Sequence, residues 1–259
     1  MLNNIKKKLV KNKLIRLAYR LICPLIDPVR LTRSIIGYID YIKTLYKYSK
    51  VEPIKFIDLY PCVLDKTKTS TFDSHYFYQD IWAFKKIYIS KTPVHIDIGS
   101  RVDFVGFLSS ITNVIFVDIR PLIVSLDQFK SIYGNILSLP FEDDSIYSLS
   151  CLHVAEHIGL GRYGDPIDKD GTMKACKELA RVLAPNGNLL FSMPIGKPRV
   201  CFNAHRIFSI EKVLEFFDDL KLVELSGIDD NGNFFKNVDL TFFEKAEYSC
   251  GLFHFTKRH

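Results

Sequence analysis

Residues 94–118 read VHIDIGSRVDFVGFLSSITNVIFVD. Two short apolar runs rich in β-branched residues lie in it, Val94–Ile98 (VHIDI) ending on Gly99, and Val114–Val117 (VIFV) ending on Asp118. Runs of this length and composition suit strands buried on both faces of a sheet. The pattern recurs at Ile146–Cys151 (IYSLSC) and Leu189–Met193 (LLFSM). Between them, Met173–Leu183 carries apolar residues at helical spacing, and Ala184-Pro185-Asn186-Gly187 predicts a turn before the next strand. Ile210–Phe217 reads as a further helix, with Leu220–Leu225 and Val238–Phe243 as late strands. Strands alternating with helices predict an α/β fold with a mostly parallel sheet covered on both faces. Such sheets bind ligands beyond the carboxyl ends of their strands, beside the point where strand order reverses.

Outward from this core, 259 residues suffice for one α/β domain with an appendage. At 47% hydrophobic and 25% charged residues, the composition is that of a globular chain and excludes a disordered one. Six cysteines are scattered without a C-x-x-C pair, which suggests reduced thiols and a cytoplasmic location. The net charge of +6 is unevenly placed: residues 1–50 hold twelve Lys and Arg against Asp27 and Asp40, so the remainder is mildly acidic.

Three segments follow: a basic amphipathic helical extension over 1–50, an aromatic-rich cap or helix over 51–93, and the α/β domain over 94–259. In the first, Ile5, Leu9, Leu14, Leu17 and Leu21 recur at helical spacing among Lys6, Lys7, Lys8, Lys11, Lys13, Arg16 and Arg20. Its longest uncharged run, Leu21–Ile26, is too short to span a bilayer, and no signal-peptide pattern is evident. Residues 1–26 can lie on an anionic membrane at the inner face, or pack on their own domain with a solvated basic face. In the second segment Tyr76, Phe77, Tyr78, Trp82 and Phe84 can cap a pocket or fill the core.

Taken in order, VHIDIGSR, VIFVDIRP, GNILSLPFEDDSIYSLSCLHVAEHI and ELARVLAPNGNLLFSMPIG resemble the class I S-adenosylmethionine-dependent methyltransferases over about Val94–Glu244. The resemblance implies a Rossmann-like sheet of seven strands and S-adenosylmethionine as cofactor. It places Asp97, Gly99, Ser100 and Arg101 in the loop after the first strand and Asp118 and Ile119 at the ribose hydroxyls. Asn135 and Ile136 fall near the adenine. HIDIGSR, HVAEHIGLGRYGDPID and FNAHRIFS are further similar to a methyltransferase-like branch of uncharacterised function associated with bacterial surface-saccharide synthesis. Two positions depart from the family pattern: Arg101 and Asp103 replace the second and third loop glycines, and Tyr147 stands where an aspartate is common before strand four.

The segment SCLHVAEHIGLGRYGDPID, residues 150–168, contains H-x-x-E-H at His153, Glu156 and His157. A zinc peptidase needs that motif within a long helix, which Gly159, Gly161 and Gly164 discourage here. Small-RNA 2′-O-methyltransferases carry a similar E-x-x-E-H and a later histidine around a divalent ion, and ubiquinone-pathway O-methyltransferases have a related arrangement. That resemblance implies a metal on His153, Glu156, His157 and His205. Three imidazoles and one carboxylate favour Mn, Fe or Zn over Mg. The alternative is metal-free, with His157 or His153 as general base and Glu156 shaping the loop. Arg162, Asp165 and Arg206 complete a polar rim whose arginines either grip a phosphate or carboxylate or fix the loop.

These readings predict an O-methyltransferase acting on a small-molecule or lipid-linked saccharide hydroxyl in surface-polysaccharide synthesis. A non-catalytic scaffold that keeps the fold is the alternative. Nucleic acid is not expected as a partner, because the basic charge lies outside the catalytic domain.

Overall fold

The computed structural model describes residues 13–22 and 26–258. The predicted basic helix falls partly on residues 1–12, outside the described residues, so Ile5, Leu9 and the first four lysines are not placed. The chain divides into two compact units, Met1–Thr71 and Phe72–His259. The boundary falls inside the expected 51–93 segment, so its aromatic stretch from Tyr76 to Phe84 belongs with the sheet and residues 51–71 with the first unit.

In the first unit α1 spans Lys13–Ile22 and α2 spans Pro28–Tyr48. Asp27 starts α2 because its carboxylate accepts from Val29 N at 2.9 Å and Arg30 N at 3.0 Å, while Pro28 needs no partner for a missing N–H. Gly37 lets the chain cross: a Cβ there would sit 2.0 Å from the Val63 carbonyl oxygen. None of the α2 residues is buried, and Leu31, Ile35, Ile39, Ile42 and Tyr46 are exposed at the spacing of one helical stripe. Among the described residues no helix is long and apolar enough to cross a membrane.

The second unit is built on β1 (Val94–Ile98), which pairs in parallel with β2 (Asn113–Asp118) on one side and β4 (Ile146–Leu152) on the other. β3 (Phe129–Tyr133) extends the sheet beside β2, and β5 (Leu183–Ile195) lies beside β4, both parallel. β10 (Ser249–Lys257) is inserted antiparallel between β5 and β8 (Leu220–Ile228), and β9 (Phe234–Phe235) pairs with the end of β8. The order is β3-β2-β1-β4-β5-β10-β8-β9, so strand order reverses between β1 and β4. β6 (Arg199–Cys201) and β7 (His205–Ile207) form a separate hairpin.

Helices α3 (Ser74–Ser90) and α4 (Val102–Leu108) cover one face, α5 (Gly171–Val182) and α6 (Ile210–Phe216) the other. Alternation along β2 divides its side chains between the two layers. Val114 and Phe116 pack with Trp82, Phe104 and Leu108, while Val117 joins Leu179, Val213 and Phe253. Each fully buried Leu or Phe here contributes about 1.5–3 kcal/mol. α3 is further tied to β8 by Glu224, which accepts from Trp82 Nε1 at 3.0 Å and Lys86 Nζ at 2.7 Å. Burial would raise the Glu224 pKa, but these bonds and Ser226 bring it down to about 2.

Four sequence expectations change. The sheet has eight strands and not seven, because Phe234–Phe235 turns back along the end of β8. Val238–Phe243 is not a strand, since Asp239 captures the backbone N–H and hydroxyl of Thr241 and bends the chain; the last strand is β10. β3 gave no apolar run, as it lies at the parallel edge and is only half-buried. The Pro185-Asn186-Gly187 turn is a bulge inside β5, with Asn186 at φ 59°: Pro185 and Asn188 face consecutive residues of β10.

Candidate functional site

Two cavities open at the carboxyl ends of the central strands. The first, of 320 Å³, is lined by Gly99, Asp118, Ile119, Asn135, Ile136 and Asp165 among others. Gly99 leaves β1 at φ 67°, and a Cβ there would lie 3.2 Å from Val154 Cγ1 and 3.5 Å from Asp118 Oδ2. Glycine is thus favoured by the left-handed backbone, and a Cβ would in addition press on Val154 at the cavity floor. Asp118 ends β2 with Oδ1 accepting from Arg120 N at 2.7 Å, which leaves Oδ2 toward Gly99. Asn135 uses its Oδ1 to accept from Leu137 N at 2.9 Å, so its amide N–H groups remain available as donors.

Three residues predicted for cofactor binding do not line this cavity. Asp97 is fully buried beneath the loop, where Oδ1 accepts from Ser100 N at 3.0 Å and Oδ2 accepts from the Ser150 hydroxyl. Ser100 accepts from Leu152 N at 3.1 Å and so ties the β1 loop to β4. Arg101 points away, to Asp103 at 2.8 Å and over the Tyr76 ring. Behind Asp97, His95 bridges Ser148 and Ser150 at 2.8 Å on each ring nitrogen. Burial pulls the His95 pKa down to about 3 and pushes Asp97 up to about 6, the latter against its serine bonds. Because Ser150 donates to Asp97, it accepts from His95 Nε2–H, and Nδ1 accepts from Ser148. This chain fixes the spacing of β1 and β4 at the switch point.

The second cavity, of 390 Å³ and more polar, is lined by His75, Tyr76, His153, Glu156, His157, Arg162, His205 and Tyr248 among others. His153 and His157 line both cavities. His153 follows β4 at φ 57°, an uncommon conformation for a residue with a Cβ. It is held there by bonds from its N–H to Ser192 O at 3.0 Å and Ser192 Oγ at 3.1 Å, and Ser192 in turn donates to Gln79 Oε1 at 2.6 Å. His153 Nδ1 donates to Glu156 Oε1 at 2.8 Å. Burial would lower the His153 pKa, but Cys250 and the Glu156 carboxylate outweigh it and hold it above the usual histidine value. Glu156 is 1% exposed, and its Oε2 is buried without a hydrogen-bond partner.

The H-x-x-E-H motif lies in a single 3₁₀ turn, Ala155–His157, and not in a long helix. His157 Nδ1 donates to Ala204 O at 2.6 Å, which in the neutral ring puts the lone pair on Nε2, 3.8 Å from Glu156 Oε1. His205, on β7, stacks on Tyr248 with ring centroids 5.1 Å apart, and burial lowers its pKa. The four predicted metal ligands therefore share one cavity without converging on one point. Among the described residues, the ligand atoms that lie within 4.8 Å of one another belong to His75, His153 and Cys250.

The glycine loop after the motif is braced from within. Asp165 accepts from Gly159 N at 2.6 Å and Tyr163 N at 3.2 Å; burial would raise its pKa, but these backbone donors hold it below the usual carboxylate range. Arg206, 7% exposed, spends its guanidinium on Ile158 O, Thr172 Oγ1, Gly159 O and Asp168 O. It is thus a loop brace, and it contacts backbone carbonyls and not the Asp165 or Asp168 carboxylates. Arg162 is exposed, donates to Ala204 O at 3.1 Å and reaches the rim of the polar cavity.

Sequence reasoning missed His75, Tyr248 and Cys250. Asp73 caps α3 by accepting from His75 N at 3.0 Å and Tyr76 N at 3.3 Å, which sets both side chains at the cavity. The Asp-Ser-His-Tyr start of a helix was the available signal. His75 stacks on His153 at 5.7 Å and packs at a tilt against Tyr248 at 5.2 Å, and burial pulls its pKa down to about 4. Nothing local to β10 marks Cys250.

The family model described as Caenorhabditis protein of unknown function, DUF268, matches residues 103–228, from α4 to the end of β8. No curated protein matches the chain. Among solved structures, the YcgJ protein from Bacillus subtilis is 16% identical at a TM-score of 0.50, covering 71% of this chain and 99% of its own. A candidate methyltransferase from Bacillus halodurans is 12% identical at 0.50, covering 70% and 99%. A candidate sarcosine dimethylglycine methyltransferase from Galdieria sulphuraria is 14% identical at 0.51, covering 70% and 86%. Identities this low speak to fold alone. With its strand order and the cavity at its switch point, the chain has the Rossmann-like fold of the class I S-adenosylmethionine-dependent methyltransferases.

Proposed function

We propose that the chain is an S-adenosylmethionine-dependent O-methyltransferase that acts on a saccharide or glycoconjugate hydroxyl. The observation that carries this reading is the wall shared by the two cavities: His153 and His157 face both, so occupants of the two would meet there. The residues of the first cavity fit the cofactor, with a cradle at Gly99 that a Cβ would fill and the Asp118 carboxylate at its edge. Asp118 would accept from the ribose hydroxyls and Asn135 would meet the adenine edge. The bound cofactor supplies an electrophilic methyl group.

The chain's own residues do the rest. With Nδ1–H committed to Ala204 O, neutral His157 would carry its lone pair on Nε2 and take the acceptor hydroxyl's proton there. Glu156 Oε2, buried and without a partner, would accept from a second hydroxyl. Two acceptors on one short turn suit the neighbouring hydroxyls of a sugar ring. Holding the oxygen at reacting distance supplies most of the rate gain. Arg162 at the cavity rim would suit a phosphate on a nucleotide-linked or lipid-linked sugar.

Calorimetry with S-adenosylmethionine and its demethylated product tests this directly. One site for each is the expected result. A folded protein that binds neither would leave the scaffold reading, to which the replaced loop glycines at Arg101 and Asp103 give some support.

The place of action we propose is an anionic membrane face in the cytoplasm, reached through residues 1–26. The twelve basic residues of positions 1–50 and the exposed apolar stripe of α2 support it. The expected outcome is flotation with anionic vesicles that weakens as salt rises and is lost on deleting residues 1–26. Flotation that is indifferent to salt and to the deletion would exclude it.

A further inference from the structure

We infer that His75, His153 and Cys250 form a zinc-type metal site with its fourth position open to the polar cavity. The three residues come from the start of α3, the turn after β4 and the second position of β10, so only the tertiary fold assembles them. Their ligand atoms all lie within 4.8 Å of one another. A tetrahedral zinc ion, with bonds of about 2.0–2.1 Å to nitrogen and about 2.3 Å to sulfur, holds its ligands roughly 3.3–3.7 Å apart. A small movement of the half-buried His75 ring, which stacks on His153 and packs at a tilt against Tyr248, would supply the remaining closure.

Two further features have the form of a metal site. First, His153 Nδ1 donates to Glu156 Oε1 at 2.8 Å, which leaves Nε2 as the ligating nitrogen. A carboxylate on the far nitrogen of a ligating imidazole is the usual means of fixing its tautomer and raising its basicity. Second, the other Glu156 oxygen is a buried acceptor without a partner, in a cavity that His75 and His153 also line. A water or alcohol on the open position of the ion would supply the missing donor. The ligand set also selects the metal: one thiolate and two imidazoles are too soft for Mg or Ca and match Zn. Three protein ligands with one position left open is the pattern of a zinc ion that binds a further molecule, and not of a closed structural site.

Of the four predicted ligands this set keeps His153 alone, with Glu156 as its outer partner. His157 is committed through Nδ1 to Ala204 O, and His205 is stacked on Tyr248. Cys250, fully buried, would supply on metal binding the sulfur ligand that the motif alone could not. The inference does not depend on methyl transfer: the site stands on its own ligands.

The test uses the full-length protein, stripped of metal by a chelator and titrated with Co²⁺, then with Zn²⁺ against a chromogenic chelator. One equivalent of Co²⁺ should give the intense visible bands of a tetrahedral ion and a thiolate-to-cobalt charge-transfer band in the near ultraviolet. His75→Ala, at a half-buried helix start, should weaken binding by more than the roughly 10–100-fold that loss of an outer carboxylate partner costs, the effect expected of Glu156→Gln. Cys250→Ser should abolish the charge-transfer band; if that variant does not fold, the band in the unmodified protein decides the point alone. His205→Ala should leave Co²⁺ affinity unchanged. Absence of a stoichiometric ion, absence of the thiolate band, or loss of binding in His205→Ala with none in His75→Ala would each overturn the site. S-adenosylmethionine calorimetry on the same samples keeps this result separate from the methyltransferase reading.

Discussion

Replacing Asp118 by alanine is expected to weaken S-adenosylmethionine binding by about 1.5–3 kcal/mol, roughly 10- to 150-fold, the scale of a hydrogen bond to a charged group. The carboxylate ends β2, beside the first loop glycine, where a Cβ on Gly99 would lie 3.5 Å from its Oδ2. Its other oxygen is already engaged by Arg120 N, so one acceptor faces the cavity. The substitution should leave thermal stability almost unchanged, because the side chain is only partly covered and pairs loosely with Arg120 Nε at 3.7 Å. Asp118→Asn should fall between the two, since a carboxamide keeps one acceptor and loses the charge. Unaltered affinity in folded Asp118→Ala would remove the assignment of the cavity to the cofactor.

The largest effect on stability is expected from Arg206→Ala, a loss of about 3 kcal/mol. The guanidinium donates to Ile158 O, Gly159 O, Asp168 O and Thr172 Oγ1, and a buried acceptor left without its partner costs about 1–3 kcal/mol. At roughly 2–4 °C per kcal/mol for a domain of this size, the melting temperature should fall by about 6–12 °C. Arg206→Lys should recover little, because one ammonium cannot span acceptors on both ends of the loop. If the variant melts like the unmodified protein but loses affinity for a phosphorylated acceptor, Arg206 is a substrate group and not a brace.

The two predictions separate roles that the sequence left together. Asp118 and Arg206 both stood out as polar residues on the expected ligand edge. The structure leaves the first beside a cavity and encloses the second among carbonyls. An isolated arginine in FNAHRIFS does not reveal which, since its partners lie on Ile158–Asp168 and α5. The same holds for Asp97, which matched the family position yet is spent on Ser100 and Ser150.

The parallel core was legible because its signals are local. Val94–Ile98 is a strand within the predicted bounds, the β2, β4, β5 and β8 runs lie inside the observed strands, and the α5 and α6 spacings mark helices within a residue or two. Apolar period and length act over a few residues and can be read from them. The edge strand β3, the bulge in β5 and the placement of β10 between β5 and β8 escaped, because each depends on what pairs alongside.

What the sequence by itself determined is the α/β class, the central strands, the loop that leaves β1 at Gly99, and the clustering of His153, Glu156 and His157 just beyond β4. Only the tertiary structure decided which of these groups share a cavity. It set His75 and Cys250 beside His153, turned Arg101 away from the first cavity, and left one Glu156 oxygen buried without a partner. The physical reason is that strand and helix patterns record whether a residue faces the core. The meeting of side chains from α3, the turn after β4 and β10 depends on sheet order and register, which no short stretch of chain encodes.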